Sequence, residues 1–227
     1  MDRTRSASID LLTDRAEAGE RLSERLLHLR GDRPIVLGIP RGGVPIAARI
    51  AERLGGTLDL FVVRKVGAPS NPEYGLGAVA EGGYRVLDEA RTREAGYALT
   101  ELEPYVAAEM REVDRRVRTY RGDRPRAEIR DRTVVLVDDG VATGGTVRVA
   151  IHALRAKRPR RLVLALGVSP EATCEELQRE VDELAVLLRP RWFYAVGQFY
   201  EHFEPVSDAD VRRLLERGAP ARRAVHA

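Results

Sequence analysis

The sequence predicts an α/β fold, a mainly parallel twisted sheet flanked by helices. Three observations predict it. Short apolar runs alternate with amphipathic stretches along most of the 227 residues, the order that builds a parallel sheet with crossover helices. Two of the runs, Pro34 to Ile39 and Thr133 to Val137, end in glycine-rich turns that open a helix. The length suits one α/β domain with a sizeable core and a small appended subdomain.

The elements follow in order. Ser8 to Leu29 carries leucines and alanines at helical spacing and stops at Gly31, so it reads as a helix. Pro34 to Ile39 is a strand, Pro40-Arg41-Gly42-Gly43 a turn, and Val44 to Leu54 a helix closed by Gly55-Gly56. Leu58 to Val66 reads as a second strand, and Gly67 to Gly77, with two prolines, as a long loop. Ala78 to Glu81 and Tyr84 to Leu87 flank Gly82-Gly83, a hairpin signature. Thr100-Glu-Leu-Glu103 reads as a capping box with Pro104 in the first turn, starting a helix that runs to about Tyr120. Next come strand Thr133 to Val137, helix Thr146 to Lys157, strand Leu162 to Val168, helix Glu171 to Val181 and strand Leu184 to Leu188. An aromatic cluster, Trp192-Phe193-Tyr194 and Phe199-Tyr200, precedes a helix from Asp208 to Arg217 and a tail expected to be disordered.

Composition excludes several classes. Hydrophobic residues make up 44% and charged residues 32%, ordinary for a globular protein. No apolar run approaches the roughly 20 residues that cross a bilayer. The start, Met1-Asp-Arg-Thr-Arg-Ser6, leads into an amphipathic stretch and does not read as a secretory signal. A single cysteine, Cys174, allows no intrachain disulfide, so a cytoplasmic setting is expected. The net charge is +3 and nearly all of the basic residues are arginine. The runs at Arg115 to Arg118, Arg121 to Arg132 and Arg155 to Arg161 lack interleaved aromatics and read as solvated faces rather than a nucleic-acid surface. The four histidines show no metal-ligand spacing.

The chemistry concentrates in Val134-Val-Leu-Val-Asp138-Asp139-Gly-Val141-Ala142-Thr143-Gly144-Gly145-Thr146. A buried strand ends in two adjacent carboxylates, and a Gly/Thr-rich turn then opens a helix. Free amides at a helix start favour an anion, and glycines let the backbone approach it. Carboxylates accept hydrogen bonds from a vicinal diol at about 1.5–3 kcal/mol each. A diol one sugar-length from a phosphate is a ribose 5-phosphate. The second glycine-rich turn, at Arg41, Gly42 and Gly43, adds an anion site, which suggests a ligand with two phosphate groups. A Walker loop and a dinucleotide fingerprint are both absent from the sequence.

Val134 to Thr146 resembles the phosphoribosyl pyrophosphate signature of the type I phosphoribosyltransferases. Leu37-Gly-Ile-Pro-Arg41-Gly42-Gly43-Val-Pro resembles that family's pyrophosphate loop, Phe61-Val-Val-Arg64-Lys65 the strand end before its flexible loop, and Tyr194-Ala-Val196-Gly197 its base-binding segment. The resemblance spans roughly residues 34 to 200. It implies one Rossmann-like domain over residues 1–227, with a core at about 31–189, a small hood from about 1–30 and 190–227, and a flexible β-hairpin loop.

The resemblance also implies roles. Asp138 and Asp139 would bind the ribose hydroxyls and magnesium, and Val141, Ala142, Thr143, Gly144, Gly145 and Thr146 would hold the 5-phosphate. Arg41, Gly42, Gly43, Arg64 and Lys65 would meet pyrophosphate. Phe193, Tyr194 and Val196 would contact the base. Arg41, Arg64, Lys65, Asp138 and Asp139 would form the catalytic set, and Gly67 to Ala80 would close over it. The Pro40–Arg41 peptide would be cis. The partners implied are phosphoribosyl pyrophosphate and a nitrogenous base, with Mg²⁺ as cofactor and a homodimer or other homo-oligomer as the assembly. The alternative is a regulatory protein of the same fold that senses this donor and binds nucleic acid.

The sequence departs from the 6-oxopurine enzymes at two points. Ala142 stands where they place an acidic base, and Gly167-Val-Ser169-Pro170 lacks their lysine, so the acceptor stays open. Glu73 and Glu81 read as solvated loop residues with acid/base potential, and Glu201 stands where hypoxanthine enzymes carry an aspartate.

Overall fold

The computed structural model describes residues 11–218. The readings of Met1 to Ser6, of residues 8–10 as helix and of the tail after Gly218 lie outside these residues. Helix α1 (Arg15–Arg25) and a 3-10 turn lead into β1 (Ile35–Gly38), α2 (Gly43–Leu54) and β2 (Thr57–Leu60). Strands β3 (Val63–Ala68), β4 (Asn71–Ala80) and β5 (Tyr84–Leu87) follow, then α3 (Glu89–Glu94) and α4 (Leu99–Arg121). The remainder is β6 (Thr133–Gly140), α5 (Gly145–Arg155), β7 (Arg161–Val168), α6 (Glu171–Gln178), β8 (Glu183–Leu188) and α7 (Asp208–Arg217).

Strands β2-β1-β6-β7-β8 form a five-stranded parallel sheet, as the alternation predicts. Val36, Val135, Val137, Val163 and Ala165 pack on one face with α1 and α2; Leu37, Val134, Leu136, Leu164 and Leu166 pack on the other with α5 and α6. Both faces are buried, so the strands read as continuous apolar runs. Strands β3, β4 and β5 form a separate antiparallel sheet beside α4 and α5. No helix among the described residues is long and apolar enough to cross a membrane.

Several boundaries differ from expectation. Helix α1 starts at Arg15 because Asp14 caps it, its carboxylate accepting the Glu17 N–H at 2.8 Å. The chain before it is extended instead: Leu12 pairs with Tyr200, and its N–H donates to the Phe199 carbonyl at 2.9 Å. The run Leu58 to Val66 is two strands. The Phe61 N–H still donates to Gly38 of the large sheet, whereas Val62 accepts from Glu81 of the small one. Phe61 and Val62 are both buried, so the apolar pattern continues through a change of partner. Gly67 to Gly77 is mostly strand, with bulges at Val66 to Ala68. Its prolines sit at the hairpin tip, where a missing ladder donor is tolerated. Helix α4 begins at Leu99, with the Ala98 N–H donating to Glu101 at 2.7 Å, so Pro104 lies inside it. Strand β6 continues to Gly140, past both aspartates.

Candidate active site

The two glycine-rich turns leave neighbouring strands. β1 and β6 pair in parallel with Gly38 opposite Val137, and from there β1 connects outward to β2 while β6 connects the other way to β7. This reversal marks the place, at the carboxyl ends of the strands, where parallel sheets bind ligands. The first turn is pressed against β6. A Cβ on Gly43 would lie 2.3 Å from the Val137 carbonyl oxygen, and one on Gly42 would lie 1.9 Å from Asp139 Oδ2. The Pro40–Arg41 peptide is cis, as the resemblance implies.

Asp138 and Asp139 continue the alternation of β6, Asp138 after Val134 and Leu136, Asp139 after Val135 and Val137. Asp138 Oδ1 accepts the Asp139 N–H at 2.9 Å. Burial, and then the Asp139 carboxylate beside it, push the Asp138 carboxyl well above the usual range. Asp139 Oδ2 is held by Arg15 of α1, whose Nε and Nη2 both lie at 2.9 Å. The Asp139 carbonyl accepts the Tyr200 hydroxyl at 2.7 Å. That hydroxyl fits because residue 167 is glycine; a Cβ there would lie 2.0 Å from it. Burial, followed by the Asp139 carboxylate, raises the Tyr200 phenol and keeps it a neutral donor.

The second turn is held open at the helix start. The Val141 N–H is taken by Val168 and the Ala142 carbonyl accepts Thr173 Oγ1 at 2.7 Å. Gly144, at φ 77°, sits in the left-handed region before α5, which only glycine enters cheaply. Among the described residues the amides of Ala142 to Thr146 have no hydrogen-bond acceptor. They are the unpaired donors of a helix N-terminus. Ala142, Thr143 and Gly145 are exposed there, and Thr146 partly so.

The other expected residues are placed less closely. Arg41 is exposed and its Nη1 lies 3.5 Å from Asp208. Arg64 donates to Glu109 at 2.6 Å, which holds its guanidinium above the usual range, and Lys65 pairs with Glu73 at 3.1 Å. No hydrogen bond or ion pair among the described residues joins Arg64 or Lys65 to the two turns or to the aspartates. Val196 reaches the tip of β6, since a Cβ on Gly140 would lie 2.5 Å from its Cγ1. The Phe193 ring stacks at 5.3 Å on Phe199, while Tyr194 is 87% exposed. Glu81 is not a solvated loop residue: it is buried and ion-paired to Arg121 and Arg126. Glu73 is solvated but paired.

Arg15, Tyr200 and Phe203 were not visible as site residues. Arg15 resembles any arginine on an amphipathic helix, and the packing of α1 on α2 together with the pairing of Leu12 with Tyr200 brings it to Asp139. Tyr200 lay within the aromatic cluster, but nothing in its spacing named a partner.

The family described as "Phosphoribosyl transferase domain" matches residues 9–203, and the chain belongs to that family. It is similar to a Mycobacterium tuberculosis (strain H37Rv) protein whose name proposes a phosphoribosyl transferase, at 38% identity over 207 residues, 91% of this chain and 47% of that protein. The chain thus spans about half the length of the curated relatives it matches. The crystal structure of the protein TT1426 from Thermus thermophilus aligns with a TM-score of 0.80 at 44% identity, covering 92% of this chain and all of that one. The Corynebacterium glutamicum "Bifunctional protein PyrR" is 33% identical over 138 residues, 60% of this chain and 54% of that protein.

Proposed function

We propose that this chain transfers the 5-phosphoribosyl group from phosphoribosyl pyrophosphate to a nitrogenous base and releases pyrophosphate. The observation that carries this reading is the interlock of the two turns: Gly42 of the first lies against the Asp139 carboxylate, which precedes the open amides of the second. A ligand with a phosphate at each end and a diol between them fits that arrangement. The Ala142–Thr146 amides would hold the 5-phosphate, Asp138 and Asp139 would accept the ribose hydroxyls, and the Arg41–Gly43 turn would take the pyrophosphate. Arg64 and Lys65 would exchange Glu109 and Glu73 for the leaving group on closure of the hairpin.

The carboxylates also fit magnesium. Mg²⁺ is held by one or two carboxylates and completed by substrate phosphates and water, and Asp139 Oδ1 and Asp138 Oδ2 accept no N–H among the described residues. The described residues hold no group of three or more acidic, histidine or cysteine side chains able to bind a metal alone, so the ion would come with the diphosphate. When bound, it would neutralise charge developing on pyrophosphate. Ala142 offers no acid or base to the acceptor.

The test is pyrophosphate release from phosphoribosyl pyrophosphate against a panel of bases, for the wild type and Asp139→Asn. Turnover with at least one base is expected, reduced about 10- to 100-fold in the variant, the worth of a lost charge-assisted hydrogen bond. Undiminished donor binding and turnover in Asp139→Asn would sink the assignment. Saturable donor binding without turnover, joined by salt-dependent nucleic-acid binding, is what the regulatory alternative expects.

A further inference from the structure

Two carboxyl groups stand side by side at the tip of β6, and Arg15 is ion-paired to the second, Asp139. Its side chain is 12% exposed and that of Asp139 13%, so the pair is largely withdrawn from water and strongly coupled. Arg15 is fixed on every side. Its guanidinium lies 3.9 Å from the centre of the Phe203 ring, Nη1 donates to the Glu204 carbonyl at 2.9 Å, and Nε and Nη2 converge on a single oxygen, Asp139 Oδ2. The same oxygen lies over Gly42. Oδ1 accepts no N–H among the described residues, and the Asp138 carboxyl lies beside this side chain.

We propose that Arg15 is a positioning residue for donor binding. It anchors Oδ2 of Asp139 against the first turn, presents Oδ1 as the free acceptor, and supplies at this carboxylate the positive charge a divalent cation would otherwise bring. The inference rests on the reading of the site as a phosphoribosyl pyrophosphate site. Its consequence concerns how binding depends on magnesium. With Arg15 present, Asp139 is already neutralised, and magnesium is needed chiefly for the diphosphate. Without it, the Asp139 carboxylate stands uncompensated beside the Asp138 carboxyl, and binding must draw on the metal to offset it. A point charge at the same place would do part of the work, although lysine lacks the planar fork.

The experiment is calorimetric titration of phosphoribosyl pyrophosphate, and of ribose 5-phosphate as a probe lacking the diphosphate, across a magnesium series. The proteins are the wild type, Arg15→Gln, which keeps a donor and loses the charge, and Arg15→Lys. Expected is ribose 5-phosphate affinity about 10- to 100-fold weaker in Arg15→Gln at low magnesium, recovering as magnesium rises, with Arg15→Lys between the two. A loss of equal size at every magnesium concentration, or no loss, overturns the inference. If Arg15→Gln does not fold, Arg15→Met, which keeps contact with Phe203, is read against the same series. Failure of the wild type to bind either ligand at any magnesium concentration would sink the donor-site reading itself; wild-type binding with an unchanged variant would sink only the role of Arg15.

Discussion

At the base of the hairpin, Asp59 and Glu81 are 6% and 3% exposed, and every oxygen they carry has a partner. Asp59 accepts from Arg121, Leu60 and Ala127; Glu81 accepts from Arg121 and Arg126. At the tip of β6, Arg15 is the one cation paired with the two acids among the described residues and it contacts Asp139 alone, while one oxygen of each carboxyl accepts no N–H there. Two acids meet two arginines in the first group; in the second, two acids meet one. Buried charge that is balanced within the chain joins elements together. Buried charge left unbalanced beside unpaired helix amides is what the proposed ligand, with donors of its own, would complete.

Breaking the balanced group has the largest expected effect, and on folding. Arg121 also donates to the Leu60 carbonyl at 2.9 Å, so it links α4, β2 and the hairpin turn. Burial works to lower its charge, but the Glu81 and Asp59 carboxylates outweigh that and hold the guanidinium above its usual range. Arg121→Met leaves both acids buried without this partner, a loss of about 3–5 kcal/mol. Urea denaturation checks it through a lowered midpoint at unchanged slope. Donor affinity, measured where the variant is still folded, should stay near the wild-type value; a comparable loss of affinity would erase the distinction between the two groups.

The unbalanced group responds in the opposite sense, losing binding before it loses stability. Gly42 is the sharpest probe because its φ of −63° is open to any residue. Gly42→Ala therefore carries no backbone penalty, and the whole effect falls on the Asp139 carboxylate that its Cβ would meet at 1.9 Å. Moving that carboxylate is expected to weaken donor binding about tenfold, the lower end of the worth of a charge-assisted hydrogen bond. The same overlap costs about 1 kcal/mol or more of stability, a smaller loss than in Arg121→Met. A fall in melting temperature with intact donor affinity would mean that Gly42 serves packing alone.

This contrast also separates what the chain discloses in one dimension from what it does not. The parallel sheet and both turns were legible because each depends on neighbours in sequence: apolar runs bounded by glycine, and acids next to a helix start. The balanced group was not legible. Asp59, Glu81, Arg121 and Arg126 come from separate elements, and Glu81 in Ala80-Glu81-Gly82-Gly83 looks like any hairpin-turn glutamate. The split between β2 and β3 was hidden because Phe61 and Val62 stay buried through it, and burial is all that an apolar run reports. Arg15 is hidden in the sequence for the same reason as Arg121. Its partner lies 124 residues away, and the pairing of Leu12 with Tyr200 that joins them has no local signature.

The finest test of the comparison is the sign of a pH effect. Burial and the neighbouring Asp139 raise the Asp138 carboxyl well above its ordinary value of 3.8, so the folded protein holds this proton more tightly than the unfolded chain does. Asp138 therefore favours folding below the ordinary carboxylate pKa, and that contribution is lost as pH rises through the raised value. Asp138→Asn is neutral at every pH, and its side-chain oxygen can still accept the Asp139 N–H. The variant should be more stable than the wild type at neutral pH, with the gap closing as pH falls toward the ordinary carboxylate range. Melting curves across that range measure it. The change is expected to be smaller than that in Arg121→Met and opposite in sign, while donor binding is weakened. A variant less stable than the wild type at neutral pH would place Asp138 with the balanced, structural acids. A more stable one would mean that the strand tip holds a charge the fold alone does not favour, retained for what binds there.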